Sequence, residues 1–197
     1  MAEKKMTKKY YPVRHIADLR DMLYQSTELF GNLTAFMQKE NGAYVSYSFR
    51  QFRNHVESLA AYLSARGLEG KRVIVTGENC YAWAVSYLAV VCGVGVVVPV
   101  DRELPAEEFA NVVKIAEASC VIYSAKCADK VAASDTRVER LCFDDLPAAL
   151  EKGAALLSKG DTSFADHFID PDAMSVLLFT SGTTGVSKGV CLSQGNI

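Results

Sequence analysis

The sequence predicts an α/β protein: a mostly parallel sheet with helices on both faces. Three observations predict it. Between Lys71 and Phe143, short runs rich in Val, Ile and Cys alternate with segments of helical length. The runs are apolar throughout rather than at every second position, as expected of strands covered on both sides. The segments between them are long enough for the crossover connections that parallel strands require. No repeat of fixed period is present.

His15 to Phe30 reads as an amphipathic helix with Ile16, Leu19, Met22, Leu23 and Phe30 near one face, stopped by Gly31. Ala35 to Met37 and Tyr44 to Tyr47 are short strands around an Asn41-Gly42 turn. Ser48 and Gln51 have the spacing of a capping box, and Phe49, Phe52, Val56, Leu59, Ala60 and Leu63 continue with helical period until Gly67. His55 borders that apolar face; no second ligand is near it in sequence, so it reads as a partly buried or surface histidine.

The alternation then begins. Val73 to Thr76 is a strand, Cys80 to Val91 a helix and Val94 to Val98 a strand. Asn79 reads as the N-cap of that helix, with contact to a ligand as the less favoured role. Pro105 opens the next helix at a first-turn position, with Glu107 and Glu108 favoured by its dipole. Cys120 to Tyr123 is a strand, Ser124 to Val131 a short helix and Val138 to Phe143 a strand. Residues 151–172, with Gly153, Gly160 and Pro171, read as a loosely ordered connection. They lead into a last strand, Met174 to Phe179. Two units are expected: residues 1–172 as an α/β subdomain, and 173–197 as a strand, a loop and a following strand that start the next one.

The 197 residues suit one domain, or one and part of another. Half the residues are apolar, 22% are charged and the net charge is −2, an ordinary balance for a globular protein. No basic block extends beyond Lys4, Lys5, Lys8 and Lys9, which excludes a nucleic-acid footprint. The six cysteines have no Cys-x-x-Cys pair and only three histidines accompany them, so they read as small buried thiols in a reducing compartment. No apolar leader comes after Lys4-Lys5, and a cytoplasmic location is expected. Ala82 to Val100 is uncharged and almost long enough to span a membrane, but Gly93, Gly95 and Pro99 interrupt it. It reads as a helix followed by a buried strand.

Thr180-Ser181-Gly182-Thr183-Thr184-Gly185-Val186-Ser187-Lys188-Gly189 carries the chemistry. Its glycines let backbone N–H groups approach an anion, its hydroxyls donate to phosphate oxygens, and Lys188 supplies a mobile positive charge. The combination suits a polyphosphate. It is not a Walker A loop, which puts glycine directly before the lysine and a helix after it. Here glycine comes after the lysine and an apolar, strand-like run comes next.

Phe179 to Gly189 resembles the phosphate-binding loop of the AMP-forming acyl-CoA synthetases, whose signature reads Tyr/Phe-Thr-Ser-Gly-Thr-Thr-Gly-x-x-Lys-Gly; the match has no gap. These enzymes belong to the adenylate-forming family, with luciferases and the adenylation domains of peptide synthetases. Ser46-Tyr47-Ser48-Phe49, Gly77-Glu78-Asn79 and Val98-Pro99-Val100-Asp101 are similar to other parts of that family. Tyr11-Pro12-Val13-Arg14-His15-Ile16 together with Gly77-Glu78-Asn79 most resembles bacterial long-chain fatty acyl-CoA ligases. The resemblance implies an ATP-dependent acid–thiol ligase. Its substrates would be a carboxylic acid, long-chain fatty acids first among them, with ATP and coenzyme A, and magnesium would be required. Thr180, Ser181, Gly182, Thr183, Thr184, Gly185 and Lys188 would bind the ATP phosphates.

It also implies an N-terminal fragment, inactive alone. The adenine motif, the ribose-binding aspartate and the catalytic lysine of the family come from later segments, so no catalytic residue is expected here. One departure is plain: where the family reads Thr/Ser-His-x-Asn after the loop, this chain has Ser193-Gln194-Gly195-Asn196. The family histidine helps shape the acyl or carboxylate side of the site, and Gln194 cannot take its proton. Three alternatives stay open: an adenylation domain or aryl or short-chain acid ligase of the same family, a non-catalytic nucleotide-binding module, and a plain α/β domain with a coincidental hairpin.

Overall fold

The computed structural model describes residues 13–40, 42–134, 137–180 and 188–197. Helix α1 is Leu19–Phe30, four residues shorter at its start than the periodicity predicts. Asp18 is the reason: its carboxylate accepts the Asp21 N–H at 2.8 Å and caps the helix there, leaving Ile16 exposed outside it. Strands β1 (Thr34–Glu40) and β2 (Ala43–Ser48) pair antiparallel. Helix α2 (Phe49–Ala65) starts at the expected capping box, in which Ser48 and Gln51 satisfy each other's backbone N–H groups.

Then come β3 (Arg72–Thr76), α3 (Tyr81–Ala89), a kinked π turn over Val90–Val94 with non-helical backbone at Gly93, and β4 (Val96–Pro99). The uncharged run Ala82 to Val100 is thus a helix, a turn and a strand; no helix among the described residues is long and apolar enough to cross a membrane. Helix α4 is Ala106–Ile115, with Pro105 as its cap rather than inside its first turn. Strand β5 (Cys120–Tyr123) leads through a 3-10 turn at Ala125–Cys127 into α5 (Ala128–Ala132), and β6 is Glu139–Cys142.

The expected loose connection at 151–172 is corrected. Helix α6 runs over Leu146–Ser158 and α7 over Ser163–Asp166. Gly153 does not break α6. It is buried where α6 crosses α2, and a Cβ there would overlap the Ser58 carbonyl oxygen. Close approach of the two backbones outweighs the helix propensity that glycine costs, about 1 kcal/mol relative to alanine. Strands β7 (Met174–Thr180) and β8 (Lys188–Ser193) complete the fold.

The main sheet has the order β6-β5-β3-β4-β7-β8. The first five are parallel and β8 is antiparallel to β7. Both faces are covered, as the uninterrupted apolar strands require. Along β3, Val73 and Val75 face a core with Phe52, Val56, Leu59 and Leu63 of α2, Val85 and Ala89 of α3, and Leu146 and Ala149 of α6. Ile74 faces the opposite core, with Phe109, Val112 and Val113 of α4 and Val131 of α5.

Candidate phosphate site at the strand ends

The strand registers place the sequence motifs on one edge. Val73, Val97, Val176 and Cys120 lie in one row across β3, β4, β7 and β5. Four residues further along each strand come Gly77, Asp101, Thr180 and Ser124. All four therefore lie at the carboxyl edge of the sheet, where open α/β sheets bind ligands. The chain leaves β4 toward β5 on one side and leaves β7 toward β8 on the other. The crevice between β4 and β7 is thus a topological switch point, and Thr180 stands at its rim.

Side chains of β7 alternate between the two cores: Val176 and Leu178 belong to one, Leu177 and Phe179 to the other. Their burial anchors the strand that delivers Thr180. Across the β7–β8 hairpin Thr180 pairs with Lys188 and Phe179 with Gly189. Paired residues share a sheet face, so the Thr180 hydroxyl and the Lys188 side chain stand on the same side of the stem. Thr180 is exposed, and so is Lys188. Ser181, Gly182, Thr183, Thr184 and Gly185 of the expected phosphate set lie outside the described residues.

The neighbouring strand ends carry charge. The Glu78 carboxylate, just past β3, sits 2.9 Å from the Lys126 ammonium and 3.9 Å from the Arg102 guanidinium. The Ser124 hydroxyl and Lys126 hold the Glu78 carboxyl far below its ordinary 4.5, at about 2. Glu78 therefore ties together residues from the ends of three strands. A cavity of 600 Å³ opens here, lined by Glu78, Asn79, Trp83, Asp101 and Arg102 among others. Gly77 lets the chain turn into it: its φ is +156°, and a Cβ would stand 2.7 Å from the Phe143 ring.

Two sequence readings change here. Asn79 is not the cap of α3; Cys80 holds that position and offers no side-chain bond. The first N–H of the helix, that of Tyr81, is instead accepted by Gln38 Oε1 of β1 at 2.7 Å. Asn79 is left lining the strand-end cavity. Gln194 does not reach toward the crevice with its amide. It is 6% exposed; its Oε1 accepts the Leu19 N–H at 3.1 Å and its Nε2 donates to the Val91 carbonyl at 2.8 Å. The amide joins the start of α1, the π turn and the end of β8.

His55 is half-buried, its Nδ1 2.8 Å from the Tyr81 hydroxyl, and burial pushes its pKa down. All six cysteines are free thiols. Cys92, Cys120 and Cys127 are buried, and burial pushes the Cys120 thiol up to about 12, whereas Cys191 is exposed and Cys80 and Cys142 are half-buried, which corrects the expectation that all six are buried. No group of three or more His, Cys, Asp or Glu among the described residues could hold a metal ion.

The fold is that of the N-terminal domain of adenylate-forming enzymes, and the chain belongs to the AMP-binding enzyme family, whose model matches residues 23–197. It is 28% identical over 173 residues to a CoA ligase of Gibberella moniliformis, covering 85% of this chain and 28% of that protein. It is 32% identical over 151 residues to the nonribosomal peptide synthetase NPS2 of Ceriporiopsis subvermispora, covering 75% of this chain and 6% of that protein. The inhibitor-bound N-terminal domain of FACL13 from Mycobacterium tuberculosis has the same fold, with a TM-score of 0.77 at 24% identity over 91% of this chain and 45% of that one. The chain spans less than half the length of each of these relatives.

Proposed function

We propose that the whole protein is an ATP-dependent acid–thiol ligase, and that this segment supplies its pyrophosphate-binding half. A carboxylate oxygen attacks the α-phosphorus of ATP, the bond to the oxygen bridging to the β-phosphate breaks, and pyrophosphate leaves with its electron pair. The coenzyme A thiol then displaces AMP from the acyl-adenylate, giving a thioester. The observation that carries this reading is the register of Thr180 opposite Lys188, on one face of the stem at the β4–β7 switch point. A hydroxyl donor and an ammonium so placed stabilise the charge that gathers on the departing pyrophosphate. Ser181, Thr183 and Thr184 add hydroxyls, and Gly182 and Gly185 let the loop backbone close on the phosphates. Magnesium, when bound, neutralises phosphate charge beside these hydroxyls.

Long-chain fatty acids are the first acids to test. The acyl, adenine and ribose contacts are assigned to other segments, so residues 1–197 alone are expected to form no acyl-CoA. On this reading residues 173–197 open a further subdomain and the enzyme works in the cytoplasm. The test is acid-dependent exchange of pyrophosphate into ATP by the whole polypeptide, across carboxylic acids of graded length. Exchange with none of them removes the proposal. A second reading, favoured by the likeness to a peptide synthetase, is adenylation that loads a carrier protein. A phosphopantetheinyl carrier replacing coenzyme A as acceptor would select it.

A further inference from the structure

A second cavity, of 410 Å³, lies away from the strand ends, between the β1–β2 hairpin, α2, α3 and α6. Its walls are unusual in composition. The rings of Tyr47 and Tyr81 stack with centroids 3.7 Å apart and planes within 7°. The Tyr47 hydroxyl donates to Glu40 Oε1 at 2.7 Å, and Gln38 Nε2 donates to the same oxygen at 3.1 Å. Helix α6 provides an apolar side, Leu146, Pro147 and Leu150, with exposed Glu151 at the rim. Two carboxylates line the space, and none of the lining residues is a lysine or arginine.

We propose that this cavity binds a small organic cation with an apolar body, an arylalkyl ammonium being the simplest form. Glu40 supplies the countercharge. A carboxylate offers about four acceptor positions, and both of its bonds here fall on Oε1, leaving Oε2 for an ammonium N–H. Stacking covers one face of each tyrosine ring with the other; the face left toward the cavity attracts a cation within about 6 Å. The α6 side chains take the apolar body. The volume is that of small-molecule sites, about 300–1,000 Å³. His55, which also lines the cavity, is engaged by the Tyr81 hydroxyl, and its burial favours the neutral ring. It adds no opposing charge near neutral pH.

The test is calorimetric titration of the whole chain with phenethylamine, its neutral isostere 2-phenylethanol and the anion phenylacetate. Phenethylamine should bind, and phenylacetate should not. The alcohol can donate to the carboxylate but carries no charge, so it should bind about tenfold more weakly or not at all. Glu40→Gln should weaken phenethylamine by a similar factor at an unchanged melting temperature. Glu151→Gln, at an exposed position with no side-chain hydrogen bond or ion pair among the described residues, should weaken it severalfold and serves if Glu40→Gln fails to fold. Equal binding of amine and alcohol, full affinity in the glutamine variants, or no binding of the amine would each overturn the assignment. The Glu40–Tyr47 pair would then be a brace for the hairpin. None of these outcomes bears on Lys188 or on adenylation.

Discussion

Replacing Gln194 by leucine tests whether its amide is a strut or a part of the acyl site. The side chain is similar in size but loses one donor and one acceptor. Two partners are stranded: the Val91 carbonyl, which is buried, and the Leu19 N–H, which is part-buried at the first turn of α1. An unsatisfied buried polar group costs about 1–3 kcal/mol, and the Leu19 N–H, which water can approach, belongs at the low end. The sum is about 2–5 kcal/mol, a large part of the ~5–15 kcal/mol of an ordinary domain. For a domain of this length each kcal/mol moves the melting temperature by about 2–4 °C, so a drop of about 4–20 °C is expected. Thermal melts followed by circular dichroism measure it, and hydrogen exchange at the Leu19 amide should accelerate. Gln194→His, with one donor and one acceptor in the neutral ring, should recover part of the loss. Below the melting transition, the KM for the carboxylic acid in the whole enzyme should not change. A melting temperature within about 1 °C of the parent, well short of the expected shift, would refute the strut. A raised KM with normal stability would return Gln194 to the substrate.

Three further outcomes are expected. Lys188→Ala should slow pyrophosphate release from the whole enzyme by about 100-fold or more, with stability within about 0.5 kcal/mol because the side chain is exposed; unchanged release at saturating ATP would remove its role. Glu78→Gln should destabilise the fold at neutral pH, and its difference from the parent should be pH-dependent. The folded carboxyl is depressed from 4.5 to about 2, so the contribution is full above pH 4.5 and fades as pH falls toward 2; denaturant titrations at neutral pH and at about pH 3 that give the same difference would contradict this. Gly153→Ala should cost about 1–3 kcal/mol or more by forcing α6 off α2, read as a lowered denaturation midpoint, whereas Gly153→Ala as stable as the parent would mean that the crossing is looser than the geometry shows.

What could be read from the sequence was local. The capping box at Ser48 and Gln51 and the buried strands each rest on residues within a few positions of one another, and the fold class comes from their order. What could not be read was set by distant partners. Gly153 looks like a helix breaker until Ser58 is found against it. Asn79 looks like a cap until Gln38, on another element, is found on the Tyr81 N–H. Gln194 looks like a replaced active-site residue because its partners, Leu19 and Val91, are far away in the chain. The joining of Glu78, Lys126 and Arg102 is likewise a product of parallel strands ending on one edge, and no spacing encodes it.

The turn at Val90–Val94 sets the phase of the strand beyond it. It is not a regular helical turn: Gly93 inside it has non-helical backbone angles, so the chain leaves α3 through a kink. Here the Gly95 N–H reaches back to the Val90 carbonyl, and Gly95 itself passes so close to the Lys71 backbone that a Cβ would collide with it. Deleting a single residue from this turn would disturb that kink and the Val91 carbonyl that Gln194 holds. It would also bring β4 into the sheet one position early, exchanging the faces of Val97 and Val98. In a scan of single-residue deletions, the positions of this turn should therefore be among the least forgiving in the chain, although the turn lies at the opposite end of β4 from the phosphate edge.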